Sequence, residues 1–198
     1  MDLIQMRRRI LKAQEIKRLP DGYNELKCIT GTGGQYLNTD IYPKVGDALE
    51  ITFFSDVSND ALRPFGAYTP GVALDGYQGM RIFTKDSYAV SANIGNGKKS
   101  TVKCTSDGTW SLDGVTVATG LPIQDNNSIS ISIFKARNRN GNLYGSGDMT
   151  LYGFKYYRSG VIIADYVPCK EIMTGLIGVY DLVSRTFIGN AGTGSFTI

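Results

Sequence analysis

The fold is decided by the stretch Leu151-Tyr-Gly-Phe-Lys-Tyr-Tyr-Arg-Ser-Gly-Val-Ile-Ile-Ala-Asp-Tyr-Val-Pro-Cys-Lys170. Two runs rich in β-branched and aromatic residues flank Ser159-Gly160, a pair that favours a tight turn. The pattern predicts a β-hairpin with strands over residues 149–158 and 161–167. A chain built around such hairpins is an all-β protein.

The preceding segments carry the same kind of signal. Trp110-Ser-Leu-Asp-Gly-Val-Thr-Val117 predicts a second hairpin, because Asp113-Gly114 can adopt the positive φ values of a type I′ turn. The stretch Ser128 to Phe134 alternates serine and isoleucine, which predicts a half-buried antiparallel strand with its isoleucines on one face. About a dozen short strands in total predict a two-sheet sandwich. The other predicted strands cover residues 48–54, 64–68, 80–84, 88–94, 100–105 and 176–182.

Three further motifs carry a family resemblance. They are Gly31-Thr-Gly-Gly-Gln-Tyr-Leu-Asn-Thr39, Gly178-Val-Tyr-Asp-Leu182 and Gly189-Asn-Ala-Gly-Thr-Gly-Ser-Phe196. With the hairpin above, they resemble the laminin-G-like, concanavalin A-like lectin domains that are numerous in gut bacteria and their phages. The resemblance covers roughly residues 21–42 and 150–198. It implies an all-β fold, a two-sheet antiparallel jelly-roll sandwich, in which five aromatic residues serve packing: Tyr36, Tyr157, Tyr166, Tyr180 and Phe196.

Length and composition agree with a single β domain. The chain has 198 residues, 24 of them glycine and 12 tyrosine, and 20% of its residues are charged. Glycine supplies turns and aromatic residues fill pleated surfaces, so we expect one core with no linker dividing it. The three cysteines, Cys28, Cys104 and Cys169, have no CxxC spacing, which favours buried free thiols over disulfides or a metal site.

Positive charge is concentrated at the N-terminus. Residues 1–18 contain six basic and two acidic side chains, whereas the other 180 residues contain 15 basic and 16 acidic ones. The body therefore carries a net charge of −1 and lacks the basic surplus of a nucleic-acid-binding domain. We predict no nucleic-acid partner.

Residues 1–19 are predicted to form a short N-terminal α-helix. Leu3, Met6, Ile10 and Ala13 recur at spacings of three and four, and Pro20-Asp21-Gly22 ends the pattern. A helix of this length is not stable alone in water, so its apolar stripe must pack on something. We divide the chain into this helix, residues 1–19, and a jelly-roll domain, residues 20–198.

Attachment and oligomerisation are the expected roles of that helix. In a homotrimer, Leu3, Met6, Ile10 and Ala13 face the bundle interior or a groove on a partner. The basic residues Arg7, Arg8 and Arg9 then meet an acidic surface on a partner protein. The alternative is a helix that packs on its own domain.

Neither a signal peptide nor a transmembrane segment is expected. The positive charges follow the first apolar residues, and no apolar run is followed by a small-residue cleavage site. No apolar stretch has the length that spans a bilayer. We expect the protein to be made in the cytoplasm of a bacterial host and to have no membrane partner.

The residue types exclude several enzyme classes. There is no histidine, which removes Ser-His and Cys-His nucleophile systems and the commonest ligands of catalytic zinc. Glycosidases need paired carboxylates, which in enzymes of the resembling fold usually lie as Glu-x-Asp-x-x-Glu along one strand. Here the acidic residues near strands are isolated in sequence: Glu50, Asp107, Asp113 and Asp165. We predict no catalytic residues, no enzyme activity and no cofactor.

Phosphate and metal sites are not predicted either. The runs Gly31–Gly34 and Gly145–Gly147 do not lead from a strand into a helix, so they are interpreted as turns. The runs Asp56–Asp60 and Asp125–Asn127 are rich in oxygen ligands for Ca²⁺, but lack a recognisable loop spacing. They are interpreted as solvated turns that initiate strands.

Exposed aromatic rings are the remaining candidates for a binding site. Sugars stack their C–H faces on such rings, and the middle of the chain is where the resembling lectin-type domains vary their loops. Trp110 ranks first because it is the only tryptophan. The other candidates are Tyr68, Tyr77, Tyr88 and Tyr144. Structural packing is the competing interpretation for each of them.

Two functions follow from these observations. The first is a non-enzymatic phage virion structural protein, a head fibre, capsid decoration or tail component, that displays the jelly-roll domain and adheres to glycans. Proteins that open with a similar Met-Arg-Arg-Arg-Ile-Leu helix before this domain resemble such components. The second is a glycan-binding module of a bacterial surface or secreted protein.

Overall fold

The computed structural model describes residues 18–56, 62–68, 71–75, 80–85, 87–90, 94, 97–138, 140–145 and 147–198. These residues form eighteen β-strands and no helix. The first nine strands are β1 (Tyr23–Glu25), β2 (Ile29–Gly31), β3 (Leu37–Asn38), β4 (Ala48–Ser55), β5 (Phe65–Ala67), β6 (Val72–Asp75), β7 (Met80–Phe83), β8 (Ser87–Val90) and β9 (Lys98–Cys104). The others are β10 (Trp110–Leu112), β11 (Val115–Ala118), β12 (Ser132–Ile133), β13 (Ala136–Arg137), β14 (Leu143–Tyr144), β15 (Met149–Arg158), β16 (Val161–Glu171), β17 (Ile177–Asp181) and β18 (Thr186–Ile188).

The strands form two sheets that pack as a sandwich. The larger sheet has ten strands in the order β11-β10-β9-β4-β15-β16-β17-β18, with β1 beside β16 and β2 beside β15. The smaller has eight, in the order β14-β13-β5-β6-β7-β8, with β3 and β12 attached. All pairs are antiparallel except β13 with β5, which is parallel. The predicted all-β, two-sheet sandwich is confirmed, with this one departure from antiparallel pairing.

Both predicted hairpins are confirmed, and their turns have the expected backbone. Ser159 and Gly160 between β15 and β16 have φ values of 50° and 76°. Asp113 and Gly114 between β10 and β11 have φ values of 51° and 84°. Positive φ at both central residues is the type I′ geometry, whose twist matches that of the strands it joins.

The predicted strand from Ser128 to Phe134 is mostly wrong, because only Ser132–Ile133 pairs as a strand, β12. The Asn126 side-chain oxygen accepts hydrogen bonds from the backbone N–H groups of Ser128 (3.1 Å) and Ile129 (2.9 Å). Because this Asx turn uses the backbone N–H groups of Ser128 and Ile129, they are not free to pair with a neighbouring strand. The isoleucines of the segment are nevertheless buried, as the alternation predicted.

The main core lies between the sheets. Phe154 of β15 faces Phe65 of β5 across the interface, with ring centroids 6.3 Å apart. Alternation along β4 places Leu49, Ile51 and Phe53 in this core. The opposite face of the ten-stranded sheet points away from the sandwich, and it is here called the outer face.

A second, smaller cluster covers part of the outer face. Leu19 is 3% exposed and packs with Val167, Cys169 and Tyr180. The ring of Tyr23 lies 4.9 Å from that of Tyr180, which closes the cluster. The chain therefore joins the body on the outside of the ten-stranded sheet. Cys104 and Cys169 are the buried free thiols predicted, whereas Cys28 is only half-buried.

The helix predicted over residues 1–19 lies outside the described residues, apart from its last two. Arg18 and Leu19 have no helical conformation, and Leu19 packs in the second cluster. The stripe and the basic residues also lie outside the described residues: Leu3, Met6, Arg7, Arg8, Arg9, Ile10 and Ala13.

Two of the motifs that carry the family resemblance pack against each other. The Thr193 N–H donates to the Gly34 carbonyl at 3.1 Å, and the Ala191 N–H donates to the Tyr36 carbonyl at 3.0 Å. At Gly192, a Cβ atom would lie 2.1 Å from the Gly34 oxygen, so only glycine permits this approach. Both glycine-rich runs therefore have a structural role at one end of the sandwich.

Candidate functional site

A β-bulge in β15 creates the most site-like feature of the outer face. Leu151 pairs with Phe53 of β4, but Gly153 pairs with the adjacent Thr52, so Tyr152 is an extra residue in the ladder. Such a bulge re-aims side chains, and bulges are over-represented next to functional sites. The result is a tyrosine beside a glycine on the outer face, both only half-buried.

Lys99 lies over the ring of this tyrosine. Its ammonium nitrogen is 3.9 Å from the ring centroid of Tyr152, within the range of a cation–π interaction. The two residues come together because β4 lies between β9 and β15 in the sheet. Among the residues that the structure describes, no carboxylate pairs with Lys99.

A row of alternating charges crosses four strands beside this pair. Lys103 of β9, Glu50 of β4, Lys155 of β15 and Asp165 of β16 are successive partners in the register. Lys103 Nζ lies 2.8 Å from Glu50 Oε2, and Lys155 Nζ lies 3.8 Å from Asp165 Oδ2. The hydrogen bond and the charge of Glu50 raise the pKa of the Lys103 ammonium above its ordinary value. The row presents donors and acceptors to solvent on one face.

These features line one open groove of about 430 Å³, here called the outer-face groove. The Arg18–Glu25 ion pair forms a further part of its wall. Four cationic and three acidic residues line it, and each acidic residue has a cation paired with it. Among the residues that the structure describes, the lining is Arg18, Glu25, Leu26, Lys27, Glu50, Thr52, Lys99, Tyr152, Gly153, Phe154, Lys155, Asp165, Tyr166, Val167 and Pro168.

The groove brings together two carboxylates that are isolated in sequence, Glu50 and Asp165. They lie two strands apart, so their backbones are about 9.5 Å apart at about 4.8 Å per strand. A glycosidase needs one such group protonated and space between them for the reacting sugar. Lys155 instead lies between them in the register, and each carboxylate faces an ammonium group. The arrangement suits binding of polar groups rather than acid catalysis.

The prediction that Trp110 contacts a glycan is wrong. Its side chain is 0% exposed and belongs to the main core. The indole N–H donates to the Leu121 carbonyl at 2.9 Å, which satisfies its one polar group. A sugar could reach this ring only if the sandwich opened, so packing is the correct interpretation.

The predicted tyrosines do not converge with Trp110. Tyr144 lies on the edge strand β14 of the eight-stranded sheet, and Tyr68 lies at the end of β5, on the other side of β13. Tyr68 is half-buried against the ring of Phe83, at 4.6 Å between centroids. Tyr144 is 47% exposed, and its hydroxyl accepts a hydrogen bond from Asn138 at 3.2 Å. Tyr77 and the side chain of Tyr88 lie outside the described residues.

The aromatic residues that the resemblance assigned to packing are mostly interior. Tyr166, Tyr180 and Phe196 are buried, and Tyr36 packs against the main core. The local sequence did contain a signal for the site that was missed. Glycine inside a strand pattern marks a bulge, and Leu151-Tyr-Gly-Phe154 breaks the period of two at this point.

The oxygen-rich run Asp125–Asn127 forms an Asx turn through Asn126, but it does not initiate a strand as interpreted, because the next strand begins at Ser132. Asp125 Oδ1 accepts from the Val45 N–H at 2.7 Å, and the Asn127 side chain accepts from Lys44. Within the described ranges, no cluster of three or more acidic or cysteine side chains could hold a metal ion. Residues 57–60 of the other oxygen-rich run lie outside those ranges.

Comparisons with known proteins add no identification, since no protein-family model matches the chain and no curated protein matches it significantly. Across the described part of the chain, no helix has the length and apolar character needed to cross a bilayer.

Proposed function

We propose that this chain is a non-enzymatic structural protein of a phage virion: a head fibre, a capsid decoration or a tail component. Its body is proposed to be a concanavalin A-like jelly roll, displayed by an N-terminal attachment helix. The observation that carries the proposal is that the body closes a core of its own. The members of the main core run from Ile29 to Phe196, and the second cluster begins at Leu19.

The route of the chain into the body supports a separate role for the N-terminal segment. Leu19 is anchored on the outer face, and Arg18 is ion-paired with Glu25 beside it. The segment before Arg18 thus joins a sandwich that is already closed. In this proposal, its apolar stripe packs in a homotrimer or on a partner, and its basic residues meet an acidic surface on another virion protein.

The sheet topology supports the jelly-roll part of the proposal. The ten-stranded sheet takes strands from both ends of the body and also β9, β10 and β11 from its middle, whereas the eight-stranded sheet takes its strands from the segments between them. Long connections between neighbouring strands, such as β4 with β15, are typical of Greek-key sandwiches. The motifs that resemble the lectin-like family meet in space at Gly34 and Gly192.

The proposal is tested by measuring whether the protein is present in purified phage particles. Particles from the bacterial strain that encodes the chain would be separated by density gradient and analysed for its peptides by mass spectrometry. We expect the chain to co-purify with particles at a constant ratio to the major capsid protein. Recovery from the cell surface or the culture medium, and not from particles, would contradict the proposal.

The second candidate function is a glycan-binding module of a bacterial surface or secreted protein. The outer-face groove favours it, because the half-buried ring of Tyr152 lies beside a row of hydrogen-bonding groups. The two candidates are compatible, since a particle that displays many copies gains adhesion from weak individual sites. Glycan affinity in a protein absent from particles would favour the second candidate alone.

A further inference from the structure

We infer that the outer-face groove binds a saccharide bearing a carboxylate, such as a uronic acid or a sialic acid, through Tyr152 and Lys99. The inference rests on the glycan-binding candidate proposed above and specifies its site and ligand class. Neither residue belongs to the aromatic set that the sequence suggested.

The charges of the groove select a carboxylate. Each acidic residue of the lining is already paired with a cation, as Arg18 is with Glu25. The lining also contains Lys27 and Lys99, which pair with no carboxylate among the described residues. The described lining therefore has one more cationic than acidic residue, whereas residues 18–198 as a whole contain 16 basic and 16 acidic side chains and carry no net charge. A neutral sugar would leave both ammonium groups without a counter-charge.

Lys99 is in a position to exchange partners. Its ammonium group rests on the Tyr152 ring, 3.9 Å from the centroid. A cation–π contact at an exposed site is weaker than a charge-assisted hydrogen bond to a carboxylate. When the ammonium turns to the carboxylate of a ligand, it uncovers the ring face. The C–H face of the same pyranose can then stack on the ring.

The floor and the far side of the groove suit the rest of a sugar ring. Gly153 contributes no side chain, so a ligand can approach the backbone of β15 there. The row Glu50, Lys155 and Asp165 lies beside it and offers acceptors and donors to sugar hydroxyls. The site is open, so we expect an affinity on the order of 1 mM per copy, with adhesion coming from several copies.

The experiment is a titration of the full-length protein with small saccharides, followed by NMR shifts or calorimetry. The probes are digalacturonic acid and sialyllactose as the two carboxylate sources, and lactose as the neutral control. We expect saturable binding of at least one acidic probe, at least about tenfold tighter than that of lactose. The affinity should fall as NaCl is raised, because the ammonium group is exposed to solvent.

Two variants locate the site, each with a matched control. Lys99→Gln removes the ammonium group that lies over the Tyr152 ring, whereas Lys98→Gln removes an adjacent charge that is paired with Asp113 outside the groove. Tyr152→Ala removes the ring, whereas Tyr157→Ala removes a half-buried tyrosine of the same strand outside the lining. We expect each groove variant to weaken acidic-probe binding about tenfold and each control to change it less than twofold.

A third variant tests the site with a substitution that should not unfold the protein. A Cβ atom at Gly153 would lie 3.6 Å from the Tyr166 oxygen, an ordinary contact, so Gly153→Ala should fold while narrowing the floor. We expect it to weaken binding without lowering the melting temperature by more than a few degrees.

Each other outcome has a definite meaning. Equal binding of acidic and neutral probes, unchanged by Lys99→Gln, would overturn the carboxylate while leaving glycan binding in place. Binding that no groove variant alters would overturn the site. Absence of binding to any saccharide would overturn the inference together with the glycan-binding candidate, and the virion proposal would still be decided by particle composition.

Discussion

Replacement of Trp110 by alanine should destabilise the protein severely without acting on a ligand site. The indole is fully buried in the main core and bonded to the Leu121 carbonyl. Removal of a buried tryptophan costs about 3–5 kcal/mol, a large fraction of the roughly 5–15 kcal/mol that stabilises a domain. At roughly 2–4 °C per kcal/mol for a chain of this size, the melting temperature should fall by about 6–20 °C.

Two other substitutions divide that loss into its parts. Trp110→Phe keeps an aromatic ring but removes the 2.9 Å hydrogen bond, so it should cost about 1–3 kcal/mol. Tyr144→Ala, at the most exposed of the described candidate rings, should cost less than about 1 kcal/mol. Urea unfolding followed by far-UV circular dichroism measures all three.

A fluorescence measurement on the unmodified protein checks the same claim. The single tryptophan should emit at short wavelength and resist acrylamide quenching until the protein unfolds. Quenching in the native state as fast as that of free tryptophan, or a Trp110→Ala protein as stable as the parent, would refute the burial argument.

Three further predictions concern the packing of the body. Asp47 is 1% exposed and accepts two hydrogen bonds of 2.7–2.9 Å from the Arg158 guanidinium. Asp47→Asn should therefore lower the free energy of unfolding in urea by about 1–3 kcal/mol, with Asp125→Asn as the exposed control. Equal stability of the two variants would contradict this prediction. Gly192→Ala should cost about 1–3 kcal/mol because the new methyl meets the Gly34 carbonyl, whereas Gly189→Ala should not, since its nearest contact is 3.4 Å away. Burial raises the pKa of the Cys169 thiol to about 12, and the negative charge of Glu171 adds to the shift. At pH 8 a thiol reagent should therefore modify Cys28 first, and the buried Cys104 and Cys169 only after unfolding. Equal rates of modification at Cys28 and Cys169 would count against the packing of the second cluster.

The parts of the fold that the sequence predicted are those with local causes. Asp113-Gly114 and Ser159-Gly160 fix their hairpins through the backbone conformations that they tolerate. The alternation of residues 48–54 places Ile51 and Phe53 in the core because neighbouring side chains point to opposite faces. The stretch 128–134 shows the limit, since the side-chain oxygen of Asn126 accepts hydrogen bonds from the backbone of Ser128 and Ile129, which prevents strand pairing at its start despite the alternating pattern.

The candidate site could be predicted only in part. The bulge at Tyr152 has a local signal in the glycine that follows it. Its neighbour Lys99 has none, because the contact depends on the pairing of β4 with both β9 and β15. Trp110 ranks first because it is the only tryptophan, but the number of tryptophans in a chain does not indicate whether a ring is buried.

The most direct test of the central proposal compares the full chain with residues 18–198. The truncation keeps Arg18 and Leu19, because Leu19 completes the second cluster and its loss would perturb the body. Analytical ultracentrifugation and co-sedimentation with particles lacking the protein would be measured for both chains. We expect the full chain to be a trimer that joins particles, and residues 18–198 to be a folded monomer that does not. A truncated protein that still oligomerises and still joins particles would contradict the assignment of the N-terminal segment as the attachment element.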